Sequence, residues 1–312
     1  MRSYKFIFGF LAVWLLCTAV PVQAAAEPLK RPGYLDFTYW YTHTYLTSSV
    51  PYQTAAVLDY TTLQPLYYHG EQNVMPTASL MKLLTAGTLV RLAPNWGQLL
   101  GFSWWDNEGD LRKYVEPNDR YVLLRLNDGE RLPARELFAG MLIASANNAA
   151  NRLATFASGS LPKFLEEMRR TAQDWDMPST QIVEPSGLSL QNLSNARDLA
   201  LAICQALRQP EIARYASMPE YDFSAVLGRE YSIRHTVGAL REHPERFFGA
   251  KTGYLRESGF HTVAGIITPS GRKLCVALLS APTRVASEKA LDDIGIWADQ
   301  MYAWATSTAV QL

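Results

Sequence analysis

Residues 76–94 read Pro76-Thr77-Ala78-Ser79-Leu80-Met81-Lys82-Leu83-Leu84-Thr85-Ala86-Gly87-Thr88-Leu89-Val90-Arg91-Leu92-Ala93-Pro94. Leu80, Leu83, Leu84, Leu89 and Val90 recur at helical spacing, Thr77 offers a cap and Pro94 a stop, so the stretch predicts a helix starting near Thr77. Just upstream, residues 55–60 (Ala-Ala-Val-Leu-Asp-Tyr) read as a strand, with 66–68 as its hairpin partner across 61–65. A strand hairpin that runs into an apolar helix gives the chain a clean first helical turn. On that turn Ser79 and Lys82, three residues apart, share a face with Cβ atoms about 5–6 Å apart.

Beyond Pro94 the chain reads as mainly helical to about residue 245, with amphipathic stretches at 134–143, 147–157, 162–174 and 195–207. The character then changes. Residues 248–255, 261–268 and 273–280 are short β-type runs separated by Gly, Pro and Ser turns, and 288–304 closes the chain as a helix. The expected fold is α+β: an antiparallel sheet built from both ends of the chain, flanked by helices, with a large helical insertion at about 95–245 between its early and late strands.

At the N-terminus, Arg2 and Lys5 precede an apolar run at 6–20 and the small residues Ala24-Ala25-Ala26. This is a signal-peptide layout, with cleavage expected after Ala24, or alternatively after Ala26. An uncleaved anchor is the main rival. A lipoprotein reading of Cys17 is disfavoured, because Leu15 and Leu16 precede it. The organisation expected is therefore a signal peptide (1–24), a leader (25–52) and one domain (53–312), exported to the periplasm without a stable membrane anchor.

Losing Arg2 and Lys5 leaves the 29 Lys and Arg two short of the 29 Asp and Glu. No basic stripe stands out, so a nucleic-acid partner is unsupported. The five histidines form no HExxH or paired-ligand pattern and no CxxC occurs, so neither a metal nor a cofactor is expected. Cys204 and Cys275 could pair in an oxidising compartment, or could equally be two small buried hydrophobes.

Three short patterns occur in order: Ser79-Leu80-Met81-Lys82, Ser145-Ala146-Asn147 and Lys251-Thr252-Gly253. Ser-x-x-Lys recurs at Ser160-Leu161-Pro162-Lys163 and Ser270-Gly271-Arg272-Lys273, which act as internal controls. One carries a proline and the other sits in a turn, so only Ser79 has a clean helical turn behind a hairpin. A lysine accepts a proton only when neutral, which requires burial or a second nearby cation, and Lys251 is that candidate cation. Ser145 and Asn147 lie between two apolar helical stretches, in a loop suited to project into a cleft. There Ser145 is placed to pass a proton to a leaving amine, and Asn147 to hold a peptide carbonyl and position Lys82. Lys251 and Thr252 are expected to face an anionic substrate end, and Gly253 to allow a close backbone approach.

The three motifs together are the signature of penicillin-binding proteins and class A β-lactamases. The chain resembles the low-molecular-mass penicillin-binding proteins of the D-alanyl-D-alanine carboxypeptidase and endopeptidase family, from the Ala55 strand to the last helix. Residues 184–188 (Glu-Pro-Ser-Gly-Leu) and 194–200 look like the family's segment between its second and third motifs. The resemblance implies a β-lactamase/DD-peptidase-like fold and an acyl-enzyme on Ser79 with Lys82 as base. It also implies an oxyanion hole from the backbone N–H groups of Ser79 and Tyr254. An arginine before the third motif would hold the substrate's carboxylate; Arg234 is the nearest match, with Arg229 and Arg241 as alternatives.

The function implied is a serine D-alanyl-D-alanine carboxypeptidase acting on peptidoglycan stem peptides, with β-lactams as covalent inhibitors. Endopeptidase cleavage of cross-links is the alternative. More remote are a β-lactamase, disfavoured because Glu184-Pro185-Ser186-Gly187-Leu188 stands where a class A enzyme carries Glu-x-x-Leu-Asn, and a non-catalytic peptidoglycan-binding protein. His261 reads as a satisfied strand histidine, Asn148 and Asn151 as caps or polar-face residues, and Trp96, Trp104 and Trp105 as core or lid packing.

Overall fold

The computed structural model describes Trp40 and residues 50–101, 111–116, 121–127 and 129–309. The readings of 1–24 as signal peptide, of most of 25–52 as leader, and of Trp104 and Trp105 fall outside the described residues. In chain order the elements are β1 (Thr54–Asp59), β2 (Pro65–His69), β3 (Met75–Pro76), a 3₁₀ turn (Ala78–Leu80) and α1 (Met81–Leu92). Next come β4 (Leu99–Gly101), β5 (Arg131–Pro133), α2 (Ala134–Ile143), α3 (Asn147–Ser158), α4 (Leu161–Asp174), β6 (Leu193–Ser194), α5 (Ala196–Leu207) and α6 (Pro210–Ala216). The chain continues through β7 (Glu220–Ser224), β8 (Glu230–Arg234), α7 (Gly238–Glu242), β9 (Phe247–Leu255), β10 (Gly259–Ile267), β11 (Lys273–Ala281) and α8 (Arg284–Ala309).

The main sheet is antiparallel with strand order β2-β1-β11-β10-β9, so strands from both ends of the chain do meet, with Leu58 opposite Cys275. Its faces separate by alternation. Ala56, Leu58, Cys275, Ala277 and Leu279 pack with the helices of the insertion, whereas Ala55, Val57, Leu274, Val276 and Leu278 pack with Leu291, Ile294 and Trp297 of α8. Burial on both faces explains why β11 reads as an unbroken apolar run rather than an alternating one. α5 lies across β1 and β11, and a disulfide joins Cys204 on α5 to Cys275 on β11, with Cα atoms 5.6 Å apart and 71 residues between them in sequence. Closing a loop of that length is worth about 4 kcal/mol in the chain-entropy view. No helix among the described residues is long and apolar enough to cross a membrane.

The insertion is mainly helical and also holds two short strand pairs, β4 with β5 and β7 with β8, the second turning near Gly228. One expectation needs correction: Thr77 does not cap α1. Its hydroxyl donates to the Ala78 carbonyl at 3.2 Å, and the helix is entered through the 3₁₀ turn because Ala78 takes φ +49°. Asn195, by contrast, caps α5, its side chain accepting the Asp198 N–H at 2.9 Å.

α1 is buried on all sides from Met81 to Thr88, as a central helix must be, and its polar side chains are matched. Thr85 donates to the Pro185 carbonyl at 2.7 Å and Thr88 to the Leu84 carbonyl at 2.8 Å. Ser79 is thereby carried between the central helix and β9.

Candidate active site

The Lys82 side chain is completely buried, and its Nζ contacts three oxygens: Ser79 Oγ at 2.8 Å, Asn147 Oδ1 at 2.6 Å and the Ser186 carbonyl. Two of these are acceptors only, while the Ser79 hydroxyl can also donate. A neutral amine therefore satisfies all three, giving its two N–H groups to Asn147 and Ser186 and its lone pair to the Ser79 proton. Burial favours this form and holds the Lys82 pKa down at about 7, against the pull of the Glu184 carboxylate in the other direction.

Lys251, also fully buried, donates to Ser145 Oγ at 2.7 Å and to the Thr252 carbonyl at 3.1 Å. Burial first, and then repulsion from Lys82, push its pKa well below the ordinary lysine value. The two lysines thus compete for charge in one dry region.

Two of the six non-glycine residues with positive φ among the described residues lie here. Ala78, just before Ser79, has φ +49°, and Ser145 has φ +65°. Non-glycine residues rarely adopt such angles, and they persist where surrounding structure over-determines them. Ser145 sits in the short link between α2 and α3, pinned because the Asn147 N–H and side-chain amide both donate to the Val122 carbonyl, at 2.9 and 3.0 Å. Asn148 acts as a buried clasp rather than a cap, exchanging hydrogen bonds with the Leu124 backbone at 2.8 and 3.0 Å.

Gly253 packs against the serine turn. A Cβ there would stand 3.0 Å from Ala78 Cβ and 3.2 Å from the Thr77 carbonyl, so the glycine admits the turn itself to β9. Tyr254 is exposed and lies against Phe260, ring centroids 4.4 Å apart. Thr252 donates to the Thr236 hydroxyl at 2.7 Å.

The structure therefore brings Ser79, Lys82 and Asn147 into one set of contacts and Ser145, Lys251 and Thr252 into another. It does not bring Arg234 to them. That side chain is 76% exposed beside Glu220 at 3.9 Å, on the outward face of β8. Arg229 lies over Tyr231 near Glu130, and Arg241 donates to the His235 carbonyl. The Ser160 and Ser270 copies are elsewhere: Ser160 precedes α4 in extended backbone, and Ser270 is bonded to Asp299 in the β10–β11 turn.

Three contributors to these contacts were given no role from the sequence: Thr236, Glu184 and the Ser186 carbonyl. A backbone carbonyl has no residue signature. Glu184 did, as an acid beside Pro185 and Gly187. The buried histidines are neutral, with pKa values pushed by burial to about 3 for His235 and about 4 for His261. His261 is satisfied by the Ser280 N–H at 2.9 Å and Ser258 Oγ at 2.9 Å, as a strand histidine should be.

A model of the D-alanyl-D-alanine carboxypeptidase family matches residues 43–283, which take in all three motifs. The chain belongs to this family. The match agrees with the α+β fold and with the penicillin-binding resemblance read from the motifs. Among individual family relatives, a D-alanyl-D-alanine endopeptidase of Pseudomonas aeruginosa is 28% identical over 208 residues, 66% of this chain and 64% of that protein. The D-alanyl-D-alanine carboxypeptidase DacA of Haemophilus influenzae is 28% identical over 240 residues, 74% of this chain and 57% of that protein. The chain thus spans less than two thirds of the length of these two relatives. The crystal structure of a D-alanyl-D-alanine carboxypeptidase from Mycobacterium tuberculosis has the same fold, with TM-score 0.69 and 24% identity, covering 82% of this chain and 92% of that one.

Proposed function

We propose that this family member is a serine D-alanyl-D-alanine carboxypeptidase that hydrolyses peptidoglycan stem peptides through an acyl-enzyme on Ser79. The observation that carries the reading is the Lys82 amine, buried, held by two obligate acceptors and facing the Ser79 hydroxyl. Lys82 takes the Ser79 proton as the oxygen attacks the D-alanyl carbonyl, and the oxyanion develops toward the N–H groups of Ser79 and Tyr254. Ser145, held by Lys251, passes the proton that Lys82 has taken up on to the departing amine, and water then releases the acyl group with the restored Lys82 again as base. β9 ends the strand order of the main sheet, so its outer edge suits an extended peptide laid alongside it. Asn147 holds a substrate carbonyl there, with Lys251, Thr252 and Gly253 at the anionic end. Arg234, outward beside Glu220, would have to swing inward to join them. β-Lactams are covalent inhibitors in this scheme, because their strained amide acylates the same serine.

A second reading, cleavage of cross-links, is favoured by the similarity to an endopeptidase. A β-lactamase is disfavoured: the Glu184 carboxylate is fully buried and saturated by five donors, which leaves it no water to activate. A non-catalytic binder leaves the buried lysine pair without a purpose. Residues 1–24 are read as the signal that exports the protein to the periplasm, where both substrates reside.

Incubating the mature protein with a pentapeptide stem and with a cross-linked muropeptide dimer tests the assignment. Release of D-alanine from the pentapeptide is expected. Conversion of dimers to monomers without that release would favour the second reading, and recovery of both substrates unchanged would refute peptidase function.

A further inference from the structure

Glu184 is fully buried, and its two carboxylate oxygens accept five hydrogen bonds. Oε2 takes the Ser186 N–H and hydroxyl, both at 2.6 Å. Oε1 takes the N–H groups of Leu188 and Ser189, at 2.6 and 3.2 Å, and the Asn192 amide at 2.6 Å. Four of the five partners can only donate, so the arrangement fits the carboxylate anion, and none of the five carries a charge. No ion pair to Glu184 occurs among the described residues.

The loop folded around this anion holds the serine turn and the start of α1 at three points. The Ser186 carbonyl meets Lys82, the Pro185 carbonyl accepts from Thr85 at 2.7 Å, and the Asn192 carbonyl accepts the Thr77 N–H at 2.8 Å. Burying a charge with no counter-ion is costly. Its location supplies a reason for it, close in sequence to the peptide whose carbonyl holds Lys82.

We propose that Glu184 is a positioning residue of the acylation step: its carboxylate folds the 184–192 loop so that the Ser186 carbonyl fixes Lys82, and its charge is the negative one that the Lys82 amine faces. The inference rests on the reading of Lys82 as the base. The other charged group facing that amine is Lys251 from β9, and α3 contributes only the neutral Asn147. His235, behind Lys251 against the Ala250 carbonyl, is uncharged. Of the acids on other helices packed against α1, Glu136 pairs with Arg135, Glu167 with Arg91, Asp198 with Arg197 and Glu166 with Arg170, while Asp174 and Glu211 are exposed. Removing the Glu184 charge should therefore make Lys82 easier to deprotonate, while disturbing the loop should lower the rate at every pH.

The test is the titration of the Lys82 side chain by NMR with labelled lysine, its signal assigned by loss in Lys82→Arg, run beside the pH profile of penicillin acylation. In Glu184→Gln the titration midpoint should fall by about one pH unit. The acid limb of acylation should move with it, and the plateau should drop. Glu184→Asp keeps the charge but draws it back by one methylene, so its midpoint should stay near wild type while its plateau falls. An unchanged midpoint in folded Glu184→Gln overturns the proposal. Should that variant fail to fold, a Glu184→Asp midpoint displaced as far as in a Lys251→Ala control, or a wild-type plateau in Glu184→Asp, overturns it. Because the titration needs no turnover, absence of acylation in the wild type would count against the peptidase reading while the midpoints still judge Glu184.

Discussion

Lys82→Arg should acylate with penicillin about 10²–10⁴-fold more slowly than the wild type, the usual worth of a positioned general base. Arginine keeps the positive charge and the donors toward Asn147 and the Ser186 carbonyl, but it does not give up its proton under these conditions. Lys82→Met removes the charge with little change of volume and should be as slow. Equal losses from variants of opposite character, one charged and one neutral, identify the missing element as a base, provided that both keep the wild-type circular dichroism. The wild-type rate should also climb as pH rises through about 7, because burial sets the lysine there and only its neutral form accepts the Ser79 proton. The Lys82→Arg variant should show no such limb. Labelling of Lys82→Arg near the wild-type rate would remove Lys82 from the mechanism.

Gly187→Ala should distort the site without touching a reactive side chain. Gly187 has φ +87°, and a Cβ there would lie 1.9 Å from the Ala78 carbonyl oxygen and 3.0 Å from the Ser79 nitrogen. Left-handed backbone costs an alanine about 1–2 kcal/mol. Overpacking a buried contact typically adds about 1–3 kcal/mol, so urea unfolding should reveal a loss of about 3 kcal/mol. Relief must come from the strained turn at Ala78, and a shift of about 1 Å there is enough to cost on the order of 10²-fold in acylation. Gly271→Ala is the control. Its φ is +86° but nothing lies within 4 Å of the added carbon, so it should carry the backbone cost alone and acylate normally. Equal destabilisation of the two variants, with normal acylation in both, would show that the Gly187 contact does not hold the serine turn.

Much of this was legible in the sequence because its signals are local. Periodicity at 80–90 placed α1, alternating and apolar runs at 55–60 and 273–280 placed the sheet, and the motif order singled out Ser79, Lys82, Ser145, Asn147 and Lys251. Contacts decided by conformation were not legible. Nothing in the residue name Ala78 announces φ +49°, so the serine turn read as an ordinary capped helix start. The β7–β8 hairpin was hidden in a segment whose neighbours are helical. Arg234 was chosen by its distance along the chain from Lys251, but alternation along β8 turns it outward, and Thr236 beyond it meets Thr252 instead. Glu184 was visible as a residue, yet its five donors belong to a loop geometry that no spacing rule encodes. Pairing of Cys204 with Cys275 depends on α5 crossing β11, a tertiary fact.

The central claim is that Ser79 is the acylated nucleophile. Intact-protein mass spectrometry after timed exposure to penicillin, with peptide mapping, tests it most directly. One acyl group should appear, carried on the peptide containing Ser79, and Ser79→Ala should carry none. An adduct mapped to Ser160 or Ser270, or one that persists in Ser79→Ala, would contradict the account.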